Sequence, residues 1–143
     1  MIADILKWAS MNYRLSNPEL NAPGEHLLRS LLACSAQPAG IVQLSEDEPI
    51  TALTVDTQAR GIDILIVINR RLTLLIEDKA STHKHNHQIA RYRQIISRIL
   101  VNSVSPEVVH AVYLKSGNES LHRCPAADLC GVVMREQLLA ILH

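Results

Sequence analysis

The sequence predicts an α/β domain in which helices flank a mixed sheet of mostly four strands. Two apolar runs rich in Ile, Leu and Val, GIDILIVI and LTLLIEDK, are joined only by the polar stretch NRR, which is typical of a β-hairpin. Segments with apolar residues at helical spacing lie before and after this hairpin. A later apolar run, PEVVHAVYLKSG, predicts a further strand. The expected order is helix, three strands, helix, strand.

The composition indicates one globular domain with an aliphatic core. The chain has 143 residues, 48% of them hydrophobic, with no Phe and one Trp. Its 14 basic and 14 acidic residues cancel, so the net charge gives no argument for a polyanionic partner. The longest apolar stretch, residues 62–76, is too short and too charged to span a membrane, so we expect no membrane partner.

The cysteines predict a reducing compartment. Cys34, Cys124 and Cys130 form no C-x-x-C motif, and no secretory signal precedes them. Such a sparse, odd set is typical of free thiols rather than of a disulfide framework. We therefore expect a cytoplasmic protein.

The N-terminal part of the chain predicts two helices separated by a loop. MIADILKWAS has the spacing of a short helix, and NPELNAPGE, with two prolines and two asparagines, is expected to be loop. EHLLRSLLACSA then predicts the first core helix, with Glu25 in its first turn, where a carboxylate favours the helix dipole.

The remaining elements follow from β-branched runs and helical spacing. We expect a strand near residues 51–56 and a short one near residues 41–43, before the hairpin. HQIARYRQIISRILVN predicts a helix closed by Asn102 and Pro106. After the PEVVHAVYLKSG strand, a short apolar piece leads to a final helix from about Arg135.

Charged residues stand at the ends of the two hairpin strands. If the hairpin turns around Arg70, Asp63 lies opposite Glu77, with about 4.5 to 5.5 Å between Cβ atoms. Strand alternation places Lys79 on the same face as Glu77 and Asp78 on the other face. Two carboxylates this close repel each other unless a cation lies between them.

Two carboxylates and a lysine on one patch suit metal-assisted hydrolysis. Carboxylate oxygens are ligands for Mg²⁺, and a nearby ammonium can orient a water molecule for attack on a phosphodiester. The alternative is a salt bridge among solvated residues at a strand end. The long apolar flanks favour the metal site.

The stretch DILIVINRRLTLLIEDKASTHKHNHQIARY, residues 63–92, resembles the PD-(D/E)XK nuclease superfamily. The resemblance rests on an Asp in one strand, E-x-K in the next, and Gln88 followed four residues later by Tyr92, as in the RecB-like branch. It implies a restriction-endonuclease-like αβββαβ core over about residues 24–115 of a single 1–143 domain, with residues 116–143 as a C-terminal strand and helix extension.

The resemblance also implies roles at the metal. Asp63 and Glu77 would ligate Mg²⁺ or Mn²⁺, the backbone carbonyl of Asp78 would complete the protein ligands, and Lys79 would position the attacking water. Ile62 stands where the superfamily name has Pro, at a position that varies freely.

Three further residues receive roles from the resemblance. Glu25 would support the metal through water, as a helical acidic residue does in many members. Gln88 and Tyr92, one helical turn apart, would contact the nucleic acid or brace the site. Tyr92 also lies on the apolar stripe of its helix, so an alternative is that it only packs in the core.

A local basic stripe predicts contact with phosphates. Residues 79–98 contain no acidic residue, and Lys84 and Arg91 are expected to bind nucleic acid. The basic residues of this stripe are Lys79, Lys84, Arg91, Arg93 and Arg98, with His83, His85 and His87. A solvated helix face is the alternative.

Zinc binding is a weaker hypothesis. The alternating histidines of HKHNH could gather around Zn²⁺, although a loop entering a helix is the simpler interpretation. Cys124, Cys130 and His122 match no strong zinc pattern.

The sequence thus predicts a metal-dependent nuclease that acts on DNA rather than RNA. A non-catalytic nucleic-acid-binding or assembly subunit that retains the fold is the alternative. Sequence specificity would come from a homodimer partner or a larger complex.

Overall fold

The structure is a computed structural model that describes residues 2–36, 43–59, 61–78, 88–99, 109–115 and 130–143. The helices of this part are α1 (Ile2–Lys7), α2 (Met11–Ser16), α3 (Pro18–Cys34), α4 (Gln88–Ile99) and α5 (Arg135–Leu142). The strands are β1 (Leu53–Ala59), β2 (Ile62–Ile68), β3 (Leu72–Asp78), β4 (Val109–Lys115) and β5 (Gly131–Met134). No helix within these ranges is both long and apolar enough to cross a membrane.

The five strands form one mixed sheet in the order β1-β2-β3-β4-β5. The first three are antiparallel neighbours, whereas β4 runs parallel to β3 and β5 runs parallel to β4. The α/β class with flanking helices is confirmed, but the expectation of four strands is wrong. The extra strand is the short apolar piece before the final helix, which is only four residues long.

Gly131 explains how so short a strand joins the sheet. A Cβ atom at this position would lie 1.6 Å from the carbonyl oxygen of Cys34 at the end of α3. Only glycine therefore allows β5 to run this close to α3.

The hairpin formed by β2 and β3 has the predicted register. Ile64 pairs with Ile76 and Ile68 with Leu72, around a connection in which Asn69 and Arg70 have φ angles of 52° and 58°. Two successive left-handed residues are typical of the tight turns whose twist matches that of the strands. The next positions along this register, beyond Ile64 and Ile76, are Asp63 and Glu77.

The N-terminal helical region differs from the prediction. The segment NPELNAPGE belongs to α3, with Asn17 as N-cap, Pro18 in the first turn and Pro23 inside the helix. Tertiary packing stabilises this arrangement, because a Cβ on Gly24 would lie 2.7 Å from the Ile5 carbonyl oxygen of α1. Such close approach of two helices outweighs the weak local preference for a loop.

The sheet separates two apolar layers. One face of the sheet, called the α3 face, packs against α1, α3 and α5. Alternate residues of the hairpin point to this face, including Ile66 and Leu74. The opposite face of the sheet, called the α4 face, packs against α4 through residues such as Leu65, Leu75 and Ile89. Since strand residues alternate, Glu77 follows Leu75 onto the α4 face.

The other expected elements are found where the structure describes them. The predicted strand near residues 51–56 is β1, the amphipathic helix is α4, the later strand is β4, and the last helix begins at Arg135 as expected. Residues 41 and 42 of the proposed short strand lie outside the described residues, as do Asn102 and Pro106. The expectation of free thiols holds for Cys34 but is wrong for Cys130, which is disulfide-bonded.

Candidate functional site

Asp63 and Glu77 lie at the end of the hairpin where β2 begins and β3 finishes. The Oδ2 atom of Asp63 accepts the backbone N–H of Asp78 at 2.9 Å, which links its carboxylate to the residue directly after Glu77. Asp63 is half-buried and Glu77 is only 5% exposed. The hairpin register places Asp63 and Glu77 at facing positions, one step beyond the Ile64–Ile76 pair.

Glu77 is an ionisable residue buried between the sheet and α4. Its Oε1 accepts a hydrogen bond from Nε2 of Gln88 at 2.9 Å. Taking a carboxylate out of water is costly unless hydrogen bonds or a cation compensate for the lost hydration. A carboxylate in this position is therefore a candidate for a functional role rather than a simple solvated charge.

Gln88 and Tyr92 form a brace from Glu77 to the start of β2. The same Nε2 of Gln88 donates its second N–H to the Tyr92 hydroxyl at 2.7 Å, and that hydroxyl donates to the carbonyl oxygen of Gly61 at 3.1 Å. Gly61 precedes Asp63 by two residues. These hydrogen bonds therefore connect the Glu77 carboxylate, through Gln88 and Tyr92, to the backbone just before Asp63. Gln88 is only 8% exposed, which favours bracing over direct contact with nucleic acid.

The pKa of the Tyr92 phenol depends on both carboxylates. Burial raises the pKa of the Tyr92 phenol above its ordinary value, the hydrogen bond from Gln88 opposes this, and the negative charges of Glu77 and Asp63 raise it further. The Tyr92 phenol therefore stays protonated at neutral pH and can donate its hydrogen bond to the Gly61 carbonyl oxygen. Tyr92 is not only a core residue.

Gln58 is a residue of the site that the sequence analysis missed. Its Nε2 donates to Oδ1 of Asp63 at 3.2 Å, from a backbone with φ of 58°. The pairs Thr57–Ile64 and Ala59–Ile62 flank it, so Gln58 faces Asp63 across β1 and β2. The two-residue connection between these strands was the signal that could have revealed this register.

The arrangement has the chemistry of a site for a hard divalent cation. Asp63, Glu77 and the backbone carbonyl of Asp78 would supply oxygen ligands, which Mg²⁺ and Mn²⁺ prefer. Each Asp63 oxygen already accepts one N–H, and a carboxylate oxygen has a second lone pair for a metal. The donor set therefore fits such an ion.

No protein-family model, curated protein or solved structure matches this chain. A functional assignment therefore depends on the geometry of the site and on the motif that predicted it.

Glu25 forms an ion pair with Arg29 at 3.0 Å on α3, and Arg29 also donates to the backbone carbonyls of Ser45 and Glu48. Within the described ranges, no group of three or more His, Cys, Asp or Glu side chains is placed to hold a metal. The support through water that the resemblance implies for Glu25 stays a prediction.

The basic stripe is only partly accessible where it is described. Arg91 and Arg98 are exposed on α4, whereas Arg93 is 4% exposed and donates to the backbone carbonyls of Val109 and Ala36. Arg93 therefore connects α4 to the sheet and is not available to a nucleic acid. Seven other residues of the site and zinc hypotheses lie outside the described residues: Lys79, His83, Lys84, His85, His87, His122 and Cys124.

A cavity of about 440 Å³ lies elsewhere in the fold. It opens between the end of α3 and residues Gln43 and Leu44, with His110 of β4 in its wall. None of the candidate metal ligands lines it, so the proposed chemistry does not use this cavity.

Proposed function

We propose that the protein is a metal-dependent nuclease that hydrolyses phosphodiester bonds of nucleic acid, DNA rather than RNA. The observation that carries the proposal is that the hairpin register places Asp63 opposite a buried, hydrogen-bonded Glu77. Carboxylates at facing strand positions repel each other when both are charged, and a divalent cation offsets that repulsion.

The topology supports membership of the PD-(D/E)XK superfamily and a restriction-endonuclease-like core. The order α3, β1, β2, β3, α4, β4 matches the αβββαβ order expected of that core, and β4 lies parallel to β3. In this interpretation β5 and α5 are the C-terminal extension.

The chain's own residues would hold the ion and order the reactants. When bound, Mg²⁺ or Mn²⁺ would polarise the phosphate and lower the pKa of a coordinated water. Asp63, Glu77 and the Asp78 carbonyl would hold the ion, and Lys79, two residues after Glu77, would orient the attacking water. Attack on phosphorus and departure of the leaving oxygen then hydrolyse the ester.

Gln88 and Tyr92 would keep the ligands in place. Gln88 fixes the Glu77 carboxylate, and Tyr92 fixes Gln88 and the connection that leads to Asp63. A ligand held by such bonds loses little further freedom when the ion binds, which is how preorganised sites gain rate.

Binding of the nucleic acid would depend on cations near the site. Arg91 is exposed on α4, whose first residue, Gln88, lies beside Glu77. Arg91 and Lys84 would contact phosphates, giving an affinity that is independent of sequence and falls with salt. Sequence specificity would then require a second copy or a larger complex.

A cleavage panel tests the proposal. Linear, circular and single-stranded DNA and RNA are incubated with Mg²⁺ or Mn²⁺ and with wild type, Lys79→Ala or Asp56→Asn. Asp56 is an exposed carboxylate on β1, which makes it a matched surface control. We expect cleavage of DNA that Lys79→Ala abolishes and Asp56→Asn preserves. Nucleic-acid binding without cleavage by wild type would favour the non-catalytic subunit instead.

A further inference from the structure

We propose that Gln58 is a positioning residue that orients the Asp63 carboxylate for metal binding. This inference rests on the proposed nuclease function and adds a residue that the metal motif does not contain. Gln58 acts through its hydrogen bond to Asp63.

The two oxygens of Asp63 are held from both sides of β2. Oδ1 accepts from the side chain of Gln58 in β1, and Oδ2 accepts from the backbone of Asp78 in β3. Two donors on neighbouring strands fix the rotation of the carboxylate, which a single bond would leave free. The second lone pair on each oxygen then keeps a constant direction for a cation.

The backbone of Gln58 indicates that the contact is functional. Gln58 has φ of 58°, in the left-handed region that side chains other than Gly, Asn and Asp rarely adopt, although it lies within a strand. Its side chain is exposed, and hydrogen bonds between exposed groups contribute little to folding stability. A strained residue whose bond gains little stability, beside two candidate metal ligands, is typical of a functional site.

Two substitutions separate positioning from folding. Gln58→Gly removes the amide and relieves the left-handed backbone. Gln58→Asn tolerates that backbone but is one methylene too short to maintain the bond to Asp63.

Arg70→Gly is the matched control. Arg70 has the same φ of 58°, is exposed, and lies in the turn at the other end of β2. Thermal melting of both glycine variants should give a Tm equal to or above that of wild type, because glycine adopts this conformation without strain.

The readouts are the Mn²⁺ dissociation constant from calorimetric titration and the Mn²⁺ concentration for half-maximal cleavage. We expect Gln58→Gly and Gln58→Asn to bind Mn²⁺ about 3- to 10-fold more weakly than wild type and to need correspondingly more Mn²⁺ for cleavage, with KM for DNA unchanged. Arg70→Gly should match wild type in both readouts.

Each outcome decides the inference. Wild-type Mn²⁺ affinity and wild-type Mn²⁺ dependence in both Gln58 variants, with cleavage intact, would overturn the role of Gln58 and leave the nuclease proposal standing. If wild type itself neither binds Mn²⁺ nor cleaves, the proposed function fails and this inference fails with it.

Discussion

Gln88 donates a side-chain N–H to Oε1 of Glu77 at 2.9 Å, from the first residue of α4 to the end of β3. The bond connects a buried carboxylate of the sheet to a helix that begins eleven residues later in the sequence. Removal of the Gln88 side chain tests whether the position of the Glu77 carboxylate depends on α4.

Gln88→Ala should destabilise the protein by about 1–3 kcal/mol, because it removes a donor from a buried carboxylate. Cleavage should fall by at least tenfold at a fixed Mn²⁺ concentration. Urea denaturation and initial cleavage rates measure the two effects. Gln94→Ala, an exposed glutamine on the same helix, is the control and should change neither. Equal effects of the two substitutions would contradict the role of Gln88.

Tyr92→Phe distinguishes bracing from contact with nucleic acid. The substitution removes the hydroxyl that connects Gln88 to Gly61 and should cost about 0.5–1.5 kcal/mol of stability. If Tyr92 braces the site, kcat falls and KM for DNA is unchanged. An increase in KM at constant kcat would show that the hydroxyl contacts the substrate.

Tyr92→Phe should also change how the folding stability depends on pH under alkaline conditions. Because the folded pKa of Tyr92 is raised, the folded state retains a proton that the unfolded state releases above pH about 10. Stability should therefore fall as pH rises above that value, and Tyr92→Phe should reduce the slope. Identical slopes in denaturation curves from pH 9 to 11 would be inconsistent with the raised pKa.

Arg91→Gln tests the expected contact with phosphates. Arg91 is exposed on α4, so its loss should weaken DNA binding and reduce the salt dependence by about one phosphate contact. Arg14→Gln removes an equally charged, exposed residue on α2 and serves as the control. The measurement is the dissociation constant at several salt concentrations. If the two variants have the same slope, Arg91 does not contact DNA.

Glu48 gives a prediction that is independent of catalysis. Hydrogen bonds from Arg71 and then Asn69 hold the pKa of the Glu48 carboxyl below its ordinary value. Its contribution to stability is therefore present above the unfolded value of about 4.3 and is lost as pH falls through the lower folded pKa.

Glu48→Gln should accordingly reduce the loss of stability below pH 4.3, as measured by denaturation at acidic pH. Glu46→Gln, an exposed carboxylate in the same segment, should retain the wild-type slope. A wild-type acidic slope in Glu48→Gln would show that its bonds to Arg71 and Asn69 do not persist in solution.

The hairpin could be predicted because its two strands are long, apolar and joined by three polar residues. Any register other than the observed one would move Asp63 and Glu77 apart and disturb the apolar alternation. The facing positions of Asp63 and Glu77 were therefore accessible to sequence reasoning.

Other parts of the fold depend on packing that local patterns do not report. The start of α3 was predicted at Glu25, although the helix begins at Pro18, because Pro23 is normally a helix breaker and the contact of Gly24 with α1 is not visible in sequence. The strand β5 was missed because four apolar residues carry no periodicity.

Two features of the site, the position of Gln58 and the burial of Arg93, differ in how far the sequence could reveal them. Gln58 has a left-handed backbone within a strand, which no side-chain pattern predicts, although the short connection to β2 could have revealed its register with Asp63. The burial of Arg93 was accessible, since it follows Ile89 by four residues and precedes Ile96 by three, on the apolar stripe of α4. A basic pattern alone does not distinguish an exposed arginine from a buried one.

The central claim is that Asp63 and Glu77 hold one divalent cation together. Calorimetric titration with Mn²⁺ measures this directly in wild type, Asp63→Asn, Glu77→Gln and the double variant, with Asp56→Asn as control. The amides preserve size, and the Gln88 bond can form with either side chain at position 77. We predict one site in wild type and in the control, and at least a tenfold loss of affinity in each single variant, with no further loss in the double variant. Wild-type affinity in both single variants would contradict a shared metal site.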